Sequence, residues 1–210
     1  MIEADIRKMF EAKDGNYRFA RWGRAIAPVA FGVEDEALGV IKGALDAVTQ
    51  LAGHETTDMD PELGSNCMFF FFADWDELLD VPKLDQLVPE LDSLVDRVKV
   101  ADASQYRLFR FDKAGAIQAC FVFMRIAGAQ ADVPAQELAL GQAVQIILLW
   151  GDQAFAQSSP LARTPEGVVV LKPEVADLIR AAYDPVMPVA AEDAVHALRL
   201  AARVQARADA

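Results

Sequence analysis

The sequence predicts a single α+β domain in which helices pack on a small, mostly antiparallel sheet. Three observations support this prediction. The chain has 210 residues, a length that suits one domain with a core large enough to be stable without a metal or a disulfide. Apolar residues recur with helical spacing in some segments and with strand spacing in others. The sequence contains no internal repeat, no low-complexity tract and no evident linker.

The first half of the chain alternates between helix and strand patterns. Residues 2–12 have helical spacing, and "YRFARWG" and "AIAPVAFGV" then resemble two strands joined at Gly23-Arg24. Pro28 predicts that the second of these strands lies at a sheet edge or begins near that residue. Residues 34–52 form the next helix, and "CMFFFFAD" is apolar throughout. Such a run predicts a central strand that is buried on both faces.

The second half begins with a β-hairpin pattern. The segments "QYRLFRFD" and "AIQACFVFMRI" flank Lys113-Ala114-Gly115, a sequence suited to the connecting turn. Pro134 then opens a very apolar helix, which we expect to end at Gly151. Two amphipathic helices follow, over residues 173–184 and 192–208. We therefore expect helices to pack against the strands of the first half and of the hairpin.

The charge of the chain is concentrated in one segment. The net charge is −12, and residues 27–103 carry 17 acidic side chains but only 4 basic ones. An acidic surface repels phosphate backbones and anionic lipids, so we expect neither nucleic acid nor a membrane as a partner. Solubility is the simplest explanation of this charge, and a basic protein partner is the functional one. Because no apolar run spans a bilayer and the N-terminus lacks a secretory signal, we expect a cytoplasmic protein.

The common patterns of catalysis and metal binding are missing. His54 and His196 have no neighbour at ligand spacing, and no glycine-rich phosphate loop follows a strand. Cys67 and Cys120 lie in strand-like apolar runs, where reduced core thiols are the favoured interpretation and a disulfide or metal pair is the alternative. We therefore expect no catalytic residue, no bound cofactor and no metal ligand.

The last helix carries a basic stripe. We interpret this stripe as the solvent-exposed face of the helix, with an anion site as the alternative. The predicted exposed face consists of His196, Arg199, Arg203 and Arg207, opposite Val195, Leu198 and Ala202.

The segment "LGQAVQIILLWGD", residues 140–152, contains two glutamines in an otherwise apolar helix. From Val144 to Trp150 it is apolar around its whole circumference apart from Gln145, which predicts a buried helix. An unpaired buried amide costs about 1–3 kcal/mol, so we expect Gln145 to be hydrogen-bonded to the segment "SSPLA" or "YDP". We expect Gln142, which lies nearer the polar end, to contribute less to stability.

The same helix can be aligned with the helix of zinc metalloproteases. That helix carries His-Glu-x-x-His, and many members add a later ligand. In this sequence the corresponding positions are Gly141, Gln142, Gln145 and Gly151, followed by Asp152. The metal-ligand positions are Gly141, Gln145 and Gly151, and none of them holds a metal-binding group. Gln142 replaces the glutamate, and a glutamine cannot act as a general base.

The chain resembles an uncharacterised bacterial domain family of the lipoprotein type, which has a degenerate zincin-like helix reading Glu-x-x-Gln-x-x-Gly-x-x-Asn-Asp. The resemblance implies an N-terminal helix over 1–16, a zincin-like core over 17–188 and a C-terminal helix over 189–210. This sequence departs from the family pattern at Gln142, Leu148 and Gly151, and it lacks the lipoprotein signal. The matching segments are "RWGRAIAPVAFG", "SNCMFFFF", Gln145 with Asp152, "SSP" at 158–160 and "LIRAAYDPVMP" at 178–188.

These observations together favour a non-catalytic domain that acts as a protein-interaction module. One alternative is an acidic, chaperone-like protein that holds a basic or unfolded client. The other is a hydrolase that uses carboxylates such as Asp152 and Asp184.

Overall fold

The structure is a computed structural model that describes residues 1–208. Residues 209 and 210, the end of the predicted C-terminal helix, lie outside the described residues. Short 3-10 helices cover Trp75–Asp80 and Gly128–Gln130. The other elements, in chain order, are α1 (Glu3–Met9), β1 (Phe19–Ala20), β2 (Pro28–Phe31), α2 (Asp35–Ala52), β3 (Cys67–Phe72), α3 (Leu84–Leu87), α4 (Leu91–Val100), β4 (Gln105–Phe111), β5 (Ile117–Arg125), α5 (Ala135–Ile147), β6 (Leu161–Arg163), β7 (Val169–Leu171), α6 (Pro173–Ala182), β8 (Ala190–Ala191) and α7 (Val195–Ala208).

The main sheet has four strands in the order β2-β3-β5-β4. Strand β3 runs parallel to both β2 and β5, whereas β4 and β5 are antiparallel. The α+β class is therefore confirmed, but the prediction of a mostly antiparallel sheet is wrong for this main sheet. The reason lies in the connection from β2 to β3: it contains the 18-residue helix α2, which returns the chain to the same end of the sheet.

Helices cover both faces of the main sheet. On one face, Cys67, Phe69, Cys120 and Val122 belong to the larger core, to which α2, α5, α6 and α7 contribute. On the other face, Phe70, Phe72, Phe121 and Phe123 pack with residues of α3, α4 and the 3-10 helix that begins at Trp75. The four consecutive phenylalanines thus divide between two cores, because side chains alternate between the faces of a strand.

Several local predictions are confirmed. The "CMFFFF" segment is an interior strand that pairs with β5 of the predicted hairpin. The hairpin itself forms, and Gly115 in its turn has a positive φ of 81°. Strand β2 begins at Pro28 and lies at the edge of the sheet, where a missing amide proton costs nothing. Helix α2 ends before Gly53, which adopts the left-handed conformation that suits a helix end.

One other expectation is wrong. Helix α5 ends at Ile147 instead of Gly151, and Leu148 has an extended conformation and forms a β-bridge with Arg21. The two strand patterns around Gly23-Arg24 contain β1 and β2, which belong to different sheets: β1 pairs with β8 near the C-terminus, and β2 pairs with β3. The helix end and these pairings all involve contacts with distant parts of the chain.

The terminal helices α1 and α7 pack against each other. The predicted exposed face of α7 is wrong, because His196 is buried while Val195 and Leu198 are about 60% exposed. The Tyr17 hydroxyl and His196 Nδ1 are hydrogen-bonded at 2.8 Å, so this side of the helix faces the interior. The rest of the stripe lies at the surface, where Arg199 donates to the carbonyl of Val186. Within residues 1–208, no helix is long and apolar enough to cross a bilayer.

Candidate functional site

A polar cleft lies beside the edge strand β4. It has a volume of about 940 Å³, which is within the range of ligand-binding pockets. One wall is formed by β4, a second by the C-terminal part of α5 and the chain that follows it to Pro160, and a third by Phe10, Ala12 and Arg18, which follow α1. Two arginines and one aspartate line the cleft, so it carries no excess of negative charge in a protein whose net charge is −12.

Strand β4 has a free backbone edge. In the antiparallel register with β5, the amide of Arg125 donates to the carbonyl of Ser104, and the hydrogen-bonded pairs then alternate along the strand. The backbone N–H and C=O groups of Gln105, Arg107 and Phe109 consequently point away from β5. These groups have no hydrogen-bond partner within the described part of the chain. The side chains of the same three residues line the cleft.

Arg107 is held in the cleft by two glutamines. Its Nη1 donates to Gln142 Oε1 at 2.9 Å and to Gln105 Oε1 at 3.1 Å. The two amides are joined to each other, since Gln142 Nε2 donates to Gln105 Oε1 at 2.7 Å. Arg107 is half-buried, and this burial lowers the pKa of its guanidinium. The group is nevertheless charged at neutral pH, because an arginine is not deprotonated there.

Gln142, rather than Gln145, is therefore the buried and hydrogen-bonded glutamine. Gln142 is 5% exposed, whereas Gln145 is half-buried, lines the cleft and makes no side-chain hydrogen bond to residues 1–208. The predicted link from Gln145 to the "SSPLA" or "YDP" segment is wrong. Helical periodicity could not decide between the two residues, because the helix is apolar on most of its circumference.

The end of α5 is fixed by three aromatic side chains, two of them from distant segments. Trp22 Nε1 donates to the carbonyl of Ile146 at 2.7 Å, and the Tyr183 hydroxyl donates to the carbonyl of Ile147 at 2.8 Å. Trp150 Nε1 donates to the carbonyl of Val144 at 2.8 Å. The last four carbonyls of a helix lack partners within it, and these three donors bind three of the four in α5. They explain why the helix ends there without a glycine.

Gly151 and Asp152 attach the cleft wall to the N-terminal helix. The amide of Gly151 donates to the carbonyl of Met9 at 2.7 Å, and Asp152 Oδ2 accepts a hydrogen bond from the amide of Lys13 at 2.8 Å. A Cβ atom on Gly151 would lie only 2.4 Å from the carbonyl oxygen of Glu11. Gly151 is thus required for the close approach of two backbones.

The five positions aligned with the metalloprotease helix do not form one cluster. Gln145, Gly151 and Asp152 line the cleft, and Gln142 contacts it through Arg107. Gly141 does not line the cleft; a Cβ atom placed on it would be 3.8 Å from Leu161 Cδ1. The structure therefore places three of these five residues at the cleft, with one more hydrogen-bonded to its wall.

The other candidate residues make structural contacts outside the cleft. Asp184, the second carboxylate considered for a hydrolase, lies after α6, where it accepts a hydrogen bond from the amide of Val186 and pairs with Arg203. Cys67 and Cys120 are neighbours on adjacent parallel strands, and both are free and fully buried. Burial raises the pKa of both thiols, which makes them poor nucleophiles. Among residues 1–208, no group of three or more His, Cys, Asp and Glu side chains could hold a metal ion.

A second, apolar pocket of about 200 Å³ lies between α2, α5 and the sheet. Phe69, Phe71 and Met124 form its floor, and Gln142 lies between it and Arg107. The pocket offers a ligand little to bind except apolar side chains. The cleft beside β4 therefore remains the better candidate for recognition.

Sequence reasoning missed Gln105 and Arg107. The signal was present in "QYRLFRFD", where the alternation of a strand places Gln105, Arg107 and Phe109 on one face. An arginine on the inner face of a strand is unusual and indicates either an ion pair or a ligand site.

No family model matches the chain, and comparisons with the curated proteins and with the solved structures found no significant match.

Proposed function

We propose that this chain is a non-catalytic protein-interaction module that binds an extended segment of a partner protein in the cleft beside β4. The segment would add to the main sheet as a further strand. Each strand added to a sheet edge forms main-chain hydrogen bonds, and neighbouring pockets then select its side chains.

The free edge of β4 is the observation that carries this proposal. Three consecutive outward-facing residues, Gln105, Arg107 and Phe109, present unpaired backbone donors and acceptors beside a cleft of about 940 Å³. Proteins commonly cover or charge such edges to prevent unwanted pairing. Here the three edge residues line a cleft, which favours specific recognition over aggregation.

A zincin-like core is part of the proposal. It is supported by the position of α5, whose Gln145 faces the cleft, and by Gly151 and Asp152 in the wall that follows. With glycine or glutamine at the three aligned ligand positions, the scaffold would retain a binding cleft without the protease chemistry. The resemblance to the uncharacterised bacterial family is consistent with this proposal and adds no activity to it.

The negative charge of segment 27–103 supports the proposal that the partner has a basic surface. Its exposed carboxylates include Asp35 and Glu36 at the start of α2 and Asp92 on α4. Attraction between such surfaces accelerates association and weakens as salt is added. We propose that the interaction takes place in the cytoplasm, and the two free, buried cysteines are compatible with its reducing conditions.

A displayed library of random dodecapeptides tests the proposal. We expect the protein to select peptides with strand-forming residues and without proline at alternate positions, because proline has no N–H to donate to β4. A Gln145→Trp variant should lose these peptides, since Gln145 makes no hydrogen bond to the described residues and the larger side chain would fill the cleft. Gln50→Trp, on the exposed face of α2, is the matched control and should retain them.

Two outcomes would overturn the proposal. The cleft is not the site if Gln145→Trp binds the selected peptides as well as Gln50→Trp does. Segment recognition is wrong altogether if no peptide is selected. Mass spectrometry of the selected peptides after incubation tests the non-catalytic part, because cleavage would favour the hydrolase alternative.

A further inference from the structure

The charge of Arg107 is not compensated. Arginine side chains that lie away from solvent are normally paired with a carboxylate. Arg107 is half-buried, yet no carboxylate within residues 1–208 lies within ion-pair distance of it. Its two partners, Gln105 and Gln142, are neutral amides. They hold the guanidinium in place without cancelling its charge.

The orientation of the guanidinium is equally informative. Both hydrogen bonds to the glutamines use Nη1, so the Nε and Nη2 groups donate to no atom of the described residues. Each of these two atoms keeps some solvent-accessible surface, since neither is among the fully buried polar atoms without a partner. Nε and Nη2 form one edge of the planar guanidinium, and two parallel N–H groups on such an edge match the two oxygens of a carboxylate.

The surroundings favour a single carboxylate over a larger anion. Arg18, the other arginine of the cleft, is already paired with Asp14. Asp152 lines the same cleft and adds a negative charge, which disfavours a doubly charged phosphate. Phe109 and Trp150 provide apolar wall beside Arg107, where an ion pair is weakly screened by solvent.

We propose that Arg107, held by Gln105 and Gln142, is a specificity-determining residue that binds a carboxylate of the segment occupying the cleft. This inference rests on the proposed function, because the carboxylate belongs to the bound segment. It is supplied either by an aspartate or glutamate side chain or by a free C-terminus. Both sources present the same pair of oxygens to Nε and Nη2.

Two positional-scanning libraries of N-acetylated octapeptides distinguish the sources. One library ends in a free carboxylate and the other in a carboxamide. Selection of aspartate or glutamate at one position in both libraries indicates a side chain, whereas binding of the free-acid library alone indicates a C-terminus. Either result supports the inference if Arg107→Gln weakens binding at least tenfold and removes the preference.

Arg110→Gln is the matched control. Arg110 lies on the same strand, is exposed and donates to the carbonyl of Leu87, so its substitution removes the same charge at a position that does not line the cleft. It should change affinity less than twofold, and thermal melts should show that both variants are folded. Binding of both libraries without any acidic preference, or equal effects of the two variants, would overturn the role of Arg107 and leave the proposed function intact. Failure of both libraries to bind would contradict the proposed function as well.

Discussion

The substitution Gln142→Leu tests the network beside β4 most sharply. Gln142 is 5% exposed, accepts a hydrogen bond from the Arg107 guanidinium and donates one to Gln105. A hydrogen bond from a charged donor contributes about 1.5–3 kcal/mol and one between neutral amides about 1 kcal/mol. The leucine side chain recovers about 1–2 kcal/mol by burying more apolar surface in the neighbouring pocket. We therefore expect a net loss of about 2 kcal/mol in the free energy of unfolding.

Gln145→Leu is the matched substitution on the same helix. Gln145 is half-buried and has no side-chain hydrogen bond to the described residues, so the change should stay within about 0.5 kcal/mol of the parent protein. Urea melts followed by circular dichroism give both values. This order is the reverse of the one that the sequence suggested. Equal losses, or a larger loss for Gln145→Leu, would refute the assignment of Gln142 as the residue that holds Arg107.

Three further predictions concern stability. Gly151→Ala should destabilise the protein by about 1–3 kcal/mol because its Cβ would collide with the backbone of Glu11, just after α1. Gly141→Ala should stabilise α5 by up to about 1 kcal/mol, and urea melts that rank the two variants the other way would contradict this. Phe70→Ala should cost about 3–5 kcal/mol because the Phe70 ring is buried and stacks on Phe123 of β5 with a centroid distance of 5.2 Å. Phe71→Ala should cost clearly less because Phe71 is only half-buried. Equal losses in thermal melts would argue against a strand whose two faces are buried to different extents. Burial lowers the pKa of His196 to about 4, so the unfolded chain binds a proton at a higher pH than the folded protein does. The free energy of unfolding should therefore fall as the pH drops from about 6.5 to 4. His196→Gln should remove this part of the pH dependence, and an unchanged pH dependence would count against a buried neutral imidazole.

Local patterns predicted the parts of the fold that depend on neighbouring residues. The turn after Phe111 predicted the hairpin, and the run of phenylalanines predicted an interior strand. Pro28 predicted an edge position for β2. In each case the decisive property lies within the segment itself. It is a turn residue in the hairpin, an apolar run in β3 and a missing N–H in β2.

The topology depended on contacts that no local pattern contains. Strand β1 pairs with β8, which lies about 170 residues later in the chain, and the parallel pairing of β2 with β3 follows from the packing of α2. The apolar pattern of α5 continues in the sequence to Trp150, but the helix ends at Ile147, where Trp22 and Tyr183 donate hydrogen bonds to its last carbonyls. Tertiary contacts thus override the pattern of the segment.

The candidate site was predicted only in part. The two glutamines directed attention to α5, which contributes a wall of the cleft, but an all-round apolar helix gives no indication of which side faces the sheet. Gln142 faces Arg107 because the register of β4 places that arginine opposite it. Arg107 itself was missed because what distinguishes it is the lack of a nearby carboxylate. The strand sequence does not show which residues surround Arg107 in the folded protein.

Residue-resolved amide hydrogen exchange tests the central claim most directly. In the free protein, the outward amides of Gln105, Arg107 and Phe109 should exchange faster than those of Tyr106 and Leu108, which donate to β5. Addition of a peptide selected from the displayed library should slow exchange at the three outward amides by at least tenfold and leave the inward pair nearly unchanged. Unchanged exchange at these three amides in a saturated complex would show that the segment does not add to β4.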